Sequence, residues 1–319
     1  MNQNRIKVVA IGGGTGLSVL LEGIKKYPFQ ISAIVTMTDN GSSTGRLRAD
    51  YGILPPGDIR KCIIALACEK NLMSKLFEFR FRRGKGLSGH SLGNLLMLAL
   101  EKNTGSFKKA IEEASKILAI KGKVIPATYD CINITSLHKS GQHVFGEMAV
   151  SKTGKFDPIE KIDLDKKNVK ANSEAIKAIK LANVILIGPG SLYTSIISNF
   201  VIQGITNAVK KNKRAQKIFI CNVSTERGET QGYDIEDHLR ALKIHSYNKI
   251  VDYCLINNKL ISKSFKEHKL GEVKNITTSK KEILQTRIIK KNIINDHDPL
   301  YHDSSKLGKA IWEIINARK

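Results

Sequence analysis

The feature that most constrains this chain is a β-branched run that stops in glycine: Ile6-Lys7-Val8-Val9-Ala10-Ile11 leads straight into Gly12-Gly13-Gly14-Thr15-Gly16. A short, nearly unbroken apolar run reads as a strand buried in a parallel sheet. Glycine then lets the backbone turn sharply and come close to a ligand. Leu17, Leu20, Leu21 and Ile24 recur at helical spacing, so a helix is expected over 17–26, followed by a second strand over 31–37. Strand, helix, strand in that order makes a parallel sheet with helices on its faces the default. The pattern continues with helices over about 58–69, 93–101 and 107–120. It returns after a gap with a helix over 173–181 capped by Ser173 and a strand over 184–187. A long helix over 192–211, broken near Asn199 or Gly204, comes next. It is followed by a strand at 217–223, a helix at 236–244, a strand at 253–256 and a closing helix at 305–317 capped by Ser304. In the gap, from Val124 to about Val169, polar and apolar residues alternate around a turn at Lys139-Ser140-Gly141. The expectation is one α/β domain over 1–319, with a mainly parallel sheet and a β-rich excursion at about 123–170; 319 residues suffice for such a core.

Loops after the strands carry the chemistry. Gly13, Gly14, Thr15 and Gly16 open a helix, where unpaired N–H groups and the helix dipole favour an anion. The spacing is neither GxGxxG, since Leu17 stands at its last glycine, nor a Walker A loop. After the second strand, Asp39 offers a carboxylate to a sugar hydroxyl or a metal. Asn40, Ser42, Ser43 and Thr44 offer polar side chains, and Arg46 a fork suited to phosphate. Asp58 in Pro55-Pro56-Gly57-Asp58 reads as a helix cap, or as a second acid in the cleft. His90 and Asn94 lie four apart, which on a helix is one face; they orient a substrate or only a helix start. Gly188-Pro189-Gly190-Ser191 between a buried strand and a helix makes a second anion-type helix start. There Ser191 and Thr194 are hydroxyl donors and Tyr193 a stacking platform. Asn222 and Thr225 follow another strand and close the rim, together with Asp237 and His238 unless these face solvent.

Charge and cysteine usage narrow the partners. The net charge is +23, dominated by Lys spread along the chain, and a solvated basic surface is the plainer reading. The densest cluster, Arg80, Arg82, Arg83 and Lys85 among Phe77, Phe79 and Phe81, is expected to turn Phe inward and Arg outward. No nucleic-acid recognition motif accompanies it, so nucleic acid is not the expected partner. The five cysteines, Cys62, Cys68, Cys131, Cys221 and Cys254, form no CxxC pair and read as buried free thiols in a reducing compartment. No apolar run reaches the ~20 residues of a membrane span, and the N-terminal apolar stretch is too short for a signal peptide. The expected location is the cytoplasm.

Six strings taken together and in order, IGGGTGLSVLL, GSSTGRLR, PPGDIRKC, GHSLGNLL, GPGSLYTS and GET-x-GY-xxx-DH, resemble the YvcK/CofD-like family over nearly the whole chain. The resemblance implies a Rossmann-like three-layer α/β/α fold. Its YvcK branch, whose members are labelled gluconeogenesis factors, implies binding of UDP-N-acetylglucosamine and support of cell shape, wall synthesis and growth on gluconeogenic carbon. The two glycine loops would then cradle the diphosphate, and ligand occupancy would alter the surface shown to a protein partner. A homodimer is expected on separate grounds, since parallel α/β proteins often dimerise through helices or edges. Its CofD branch implies instead transfer of a 2-phospho-L-lactate group with a nucleotide and magnesium, Asp39 and Asp58 being the metal candidates. Two positions depart from the family pattern: Asn40 stands where a second acidic residue is usual, and Tyr301 where the YvcK branch has Arg before His302-Asp303. Asn40 weakens the case for a magnesium-dependent transferase, and Tyr301 cannot grip a diphosphate as a charged fork does.

Overall fold

The computed structural model describes residues 5–260 and 275–317. Its first half runs β1 (Ile6–Gly12), α1 (Gly14–Ile24), β2 (Phe29–Val35), α2 (Ser42–Tyr51), α3 (Pro56–Leu66), α4 (Leu72–Glu78), α5 (Leu92–Thr104), α6 (Phe107–Ile117) and β3 (Lys123–Pro126). A small antiparallel sheet follows, β4 (Ile134–His138), β5 (His143–Phe145) and β6 (Ile159–Leu164), with α7 (Glu147–Thr153) between its last two strands. The second half runs α8 (Ser173–Leu181), β7 (Val184–Ile187), α9 and α10 (Gln203–Lys211), where α9 is a π-helical turn Leu192–Ile197 running into Ser198–Phe200. It closes with β8 (Gln216–Ile220), α11 (Ile235–Ile244), β9 (Tyr253–Asn257), β10 (Glu282–Ile283), β11 (Thr286–Lys291) and α12 (Ser304–Asn316).

The main sheet has eight strands in the order β10-β11-β9-β8-β7-β1-β2-β3, all parallel except the β10–β11 pair. This is the expected Rossmann-like α/β architecture. Because strand side chains alternate across the sheet, Val8 and Ala10 of β1 face one core with Leu17, Leu20, Ile63 and Ile311, while Val9 and Ile11 face a second core with Ile179, Ile196, Leu239 and Ile134 of the small sheet. Chain direction across the sheet reverses at β1: β2 and β3 lie on one side, and β7, β8 and β9 on the other. In open α/β sheets the crevice outside the strand ends at such a switch point is where ligands bind.

Several expectations shift. The excursion starts later than 123, because β3 pairs parallel with β2 in the main sheet; only 134–164 forms the separate antiparallel sheet. Of the polar loop expected over 38–48, residues from Ser42 onward form α2, whose Ser43, Thr44 and Leu47 are buried. The caps of α8 and α12 are Asn172 and Asp303, one residue before the expected serines, each accepting a backbone N–H. Asp58 lies in the first turn of α3 and does not cap it; Pro55 holds that position. Phe77 is buried as expected, but Phe79 is 51% exposed, since the chain leaves α4 there. Cys68 and Cys131 are exposed, and only Cys62, Cys221 and Cys254 are buried.

Helices α1 and α12 cross with glycine against glycine. A Cβ on Gly23 would overlap the Ser304 carbonyl, and one on Gly308 would stand 2.6 Å from the Gly23 carbonyl carbon. Neither helix can move without repacking the first core. Gly23→Ala is therefore expected to lower stability by about 1–3 kcal/mol. Urea unfolding checks this through a lower midpoint at unchanged slope.

Candidate functional site

β1 and β7 are neighbours, with Ile11 opposite Ile187, so the glycine turns that end them emerge side by side although more than 170 residues separate them. Gly188 N–H donates to the Ile11 carbonyl at 2.9 Å, extending the pairing into the turns. Beyond it the two turns touch. A Cβ on Gly16 would stand 2.5 Å from the Pro189 carbonyl oxygen and 2.8 Å from Gly190 Cα, so only glycine fits. Gly14 (φ +63°) adopts the left-handed conformation that glycine tolerates. Between and above the turns lies a cleft of about 890 Å³, lined by Gly13, Gly14, Thr15, Gly16, Gly190, Ser191, Asn222 and Thr225. Its acidic groups are Asp39, Asp58, Glu147 and Glu226; its cationic rim is Lys61, Lys155 and Arg227; Leu300, Tyr301 and His302 close one side.

The two turns are not equivalent as anion seats. At α1, Gly14 N–H donates to Asp58 Oδ2 at 2.6 Å. The next two N–H groups, of Thr15 and Gly16, belong to a first helical turn that has no intrahelical acceptor to offer them, and both residues line the cleft. The second turn is already filled. Gly190 N–H donates to Asn222 Oδ1 (3.1 Å), and Asn222 Nδ2 donates back to the Gly190 carbonyl (3.0 Å). The Tyr193 and Thr194 N–H groups donate to Glu229 Oε2 (2.8 and 3.3 Å), and the Thr194 hydroxyl to Glu229 Oε1 (2.6 Å). The buried carboxyl group of Glu229 thus occupies the N-terminus of α9. The expectation that Gly188, Gly190 and Ser191 cradle a diphosphate through backbone N–H is corrected for the two glycines, whose N–H groups are spent on the Ile11 carbonyl and on Asn222.

Other expected site residues separate from the cleft. Tyr193 is buried, its hydroxyl 2.7 Å from that of Tyr233 and its ring edge-on to Tyr233, so it offers no stacking face; Thr194 is buried against Glu229. Ser43, His90 and Asn94 form a buried chain behind the cleft. Ser43 Oγ meets His90 Nδ1 at 3.0 Å and accepts from Asn94 Nδ2 at 3.1 Å, while Arg60 Nε donates to Asn94 Oδ1 at 2.9 Å. His90 precedes α5 and does not share a helix face with Asn94. Ser42 and Arg46 are exposed, and Arg46 donates to the Ser88 carbonyl at 2.8 Å. Asp237 completes the capping box of α11, and His238 is buried with Nδ1–H donating to the Asp234 carbonyl; neither lines the cleft.

Glu147 was missed, because nothing in its local pattern marks it. α7 carries it to the cleft, where its Oε2 accepts from Asn40 N–H at 3.2 Å and Asn40 Oδ1 accepts from Met148 N–H at 3.1 Å. Burial, then Asp39 and Asp58, holds the Glu147 carboxyl well above the usual range. Burial and then Asp58 likewise raise Asp39, whose Oδ1 accepts from Gly41 N–H at 2.9 Å. Among the described residues no group of three or more His, Cys, Asp or Glu is arranged to hold a metal by itself. Asp39 and Asp58, facing one cleft, fit a magnesium ion only if a ligand's phosphate oxygens complete its shell. A separate groove of about 610 Å³, lined by Lys161, Lys166 and Lys167 on the small sheet, includes no residue of either glycine turn.

Fold and site together define an α/β protein with an anion-type helix start and an acid-floored cleft at the sheet's switch point. The family model described as 2-phospho-L-lactate transferase CofD matches residues 8–294, and the chain belongs to this CofD family. A protein named gluconeogenesis factor from Halalkalibacterium halodurans is 43% identical, the match covering 96% of this chain and 95% of that one. One of the same name from Bacillus subtilis is 37% identical, over 97% and 98%. A crystal structure of a Bacillus halodurans protein superposes with a TM-score of 0.92 at 41% identity, covering 97% of this chain and 100% of that one.

Burial, then Glu226, pushes Glu229 up to about 8, against the hydrogen bonds from Thr194 and Tyr193. In the unfolded chain Glu229 loses its proton near 4.5, while the folded protein keeps it up to about 8. The folded state therefore binds the extra proton in that window, and this contribution to stability, complete below about 4.5, is lost as pH rises to about 8. Thermal unfolding from pH 5 to 9 is expected to show the wild type losing stability relative to Glu229→Gln as pH rises. A pH-independent offset between the two would contradict this.

Proposed function

We propose that this chain is a cytoplasmic UDP-sugar-binding regulatory protein that takes UDP-N-acetylglucosamine. In this reading it supports cell shape, wall synthesis and growth on gluconeogenic carbon through a protein partner, and works as a homodimer. The observation that carries the binding is the cleft at the β1/β7 switch point. Its volume falls within the range of small-molecule sites, and the α1 N-terminus opens onto it. The names of the relatives support the metabolic setting. Among the described residues no helix is long and apolar enough to cross a membrane.

The diphosphate is placed at Thr15 and Gly16, against the positive end of α1. Lys61, Lys155 and Arg227 on the rim stand in for the charge that Tyr301 does not supply. Arg227 is the one guanidinium among them and so the fork best suited to a diphosphate. Tyr301, 51% exposed and lining the cleft, presents a ring to the base or sugar.

One observation favours a second reading, the CofD-type transfer of a 2-phospho-L-lactate group. Asp39, Asp58 and Glu147 all line the cleft, and burial with neighbouring like charge raises the proton affinity of Asp39 and of Glu147. Magnesium bound there with a nucleotide would relieve that repulsion and neutralise phosphate charge. Asp39 and Asp58 would hold it, and Glu147 would face it. Magnesium-dependent product from a nucleotide-linked phospholactate would promote this reading over the first.

Calorimetry tests the leading reading. Wild-type protein is expected to bind UDP-N-acetylglucosamine, and Arg227→Ala to bind it about tenfold more weakly, the size of a lost charge-assisted hydrogen bond. No heat from folded wild type at millimolar ligand would remove the reading.

A further inference from the structure

The end of the cleft built by the second glycine turn is chemically unlike the end built by the first. Its Gly190, Tyr193 and Thr194 N–H groups are committed to Asn222 and Glu229. The Ser191 hydroxyl is turned away from them to donate to Glu226 Oε1 at 2.9 Å. Glu226 itself lines the cleft, and its backbone N–H is tied to the Thr230 hydroxyl at 2.8 Å, so the side chain projects from a fixed base.

We infer that this end of the cleft receives a hydroxyl-bearing part of the ligand, with Glu226 as the residue that selects it, and that no phosphate sits there. The inference rests on the reading of the cleft as a sugar-nucleotide site and assigns the ligand's direction within it. The Gly190, Tyr193 and Thr194 N–H groups of this turn are already taken by Asn222 and Glu229, so a phosphate near Ser191 loses three of the donors that such a turn would offer it. It meets instead the Glu226 side chain, which lines the cleft. Burial raises the proton affinity of Glu226, against the hydrogen bond from Ser191. In either protonation state a carboxyl oxygen accepts hydrogen bonds. Sugar hydroxyls are donors of matching geometry, and a site built to bind a hydroxyl discriminates strongly against a ligand that lacks it. The α1 end has the opposite character, with the Thr15 and Gly16 N–H groups beside Lys61. A ligand therefore lies with its phosphates at the β1 turn and its sugar at the β7 turn.

The test compares UDP-N-acetylglucosamine with UDP by calorimetry on wild type and Glu226→Gln, with thermal unfolding as the check on folding. Glu226→Gln is expected to weaken UDP-N-acetylglucosamine about tenfold and to leave UDP within about twofold. Ser191→Ala, which releases Glu226 without removing it, is the second variant and lowers the preference for the sugar nucleotide in the same direction. Equal tightening of both ligands by Glu226→Gln would mean that the carboxylate merely repels phosphate; unchanged affinity for both would mean that it touches neither. Either result overturns the inference while the sugar-nucleotide reading stands. Wild type that binds neither ligand overturns that reading, and this inference with it.

Discussion

The hydrogen-bonded pairing of β1 with β7 is the constraint on which the rest of the site depends. It joins two segments far apart in the chain and registers Ile11 against Ile187, so both strands end at one level. Beyond that level both turns are rich in glycine, because their backbones have to pass within van der Waals contact. Gly16 lies against Pro189 and Gly190, and Gly190 lies 3.3 Å, at its absent Cβ, from the Gly13 carbonyl. Glycine here serves the packing of one backbone on another as much as the approach of a ligand. The cleft is the space left above that contact.

Charge in the cleft is arranged against the charge of the whole. A chain of net charge +23 places four carboxylates in one pocket and keeps its cations on the rim. A diffuse basic surface of this kind draws anions toward the cleft, and the interior then sorts them. Asp58 is fixed by Gly14 N–H and Lys61, so its charge is met locally. Asp39 and Glu147 each accept one backbone N–H, and burial raises both, helped by Asp58 at Asp39 and by Asp39 and Asp58 at Glu147. Glu229 has gone furthest: burial pushes it up to about 8, and beneath the second turn its carboxyl group takes up the donors that an external ligand would otherwise meet. An α/β site that looks like two phosphate seats in sequence is, in the folded protein, one helix N-terminus open to the cleft and one internally capped helix.

How much of this was legible in the sequence follows from the range of the interactions. The β1–turn–α1 and β7–turn–α9 units declare themselves by local pattern, apolar run then glycine then helical spacing, and both appear where expected. What local pattern does not carry is which donors remain unspent. The bonds from Tyr193 and Thr194 to Glu229 span about 35 residues, and Glu147 reaches Asn40 across 107. Tyr193 looked like a stacking group because an aromatic after a glycine turn often is one; its pairing with Tyr233 across 40 residues buries it instead. The α2 helix was read as a loop because Ser42-Ser43-Thr44-Gly45 has low helix propensity. Its burial of Ser43, Thr44 and Leu47 against the rest of the protein overrides that preference. Asn40 and Tyr301 were noted as departures from the family, and the structure supplies a neighbour for each: Glu147 beside Asn40, and Arg227 in the cleft that Tyr301 lines.

A crystal structure of the protein soaked with UDP-N-acetylglucosamine tests the central claim most directly, because it asks where the diphosphate lies and not only whether it binds. Both phosphates are expected within hydrogen-bond distance of the Thr15 and Gly16 N–H groups, with the sugar toward Glu226. A diphosphate seated on the Gly190–Ser191 turn, or in the lysine-lined groove of the small sheet, would contradict the account.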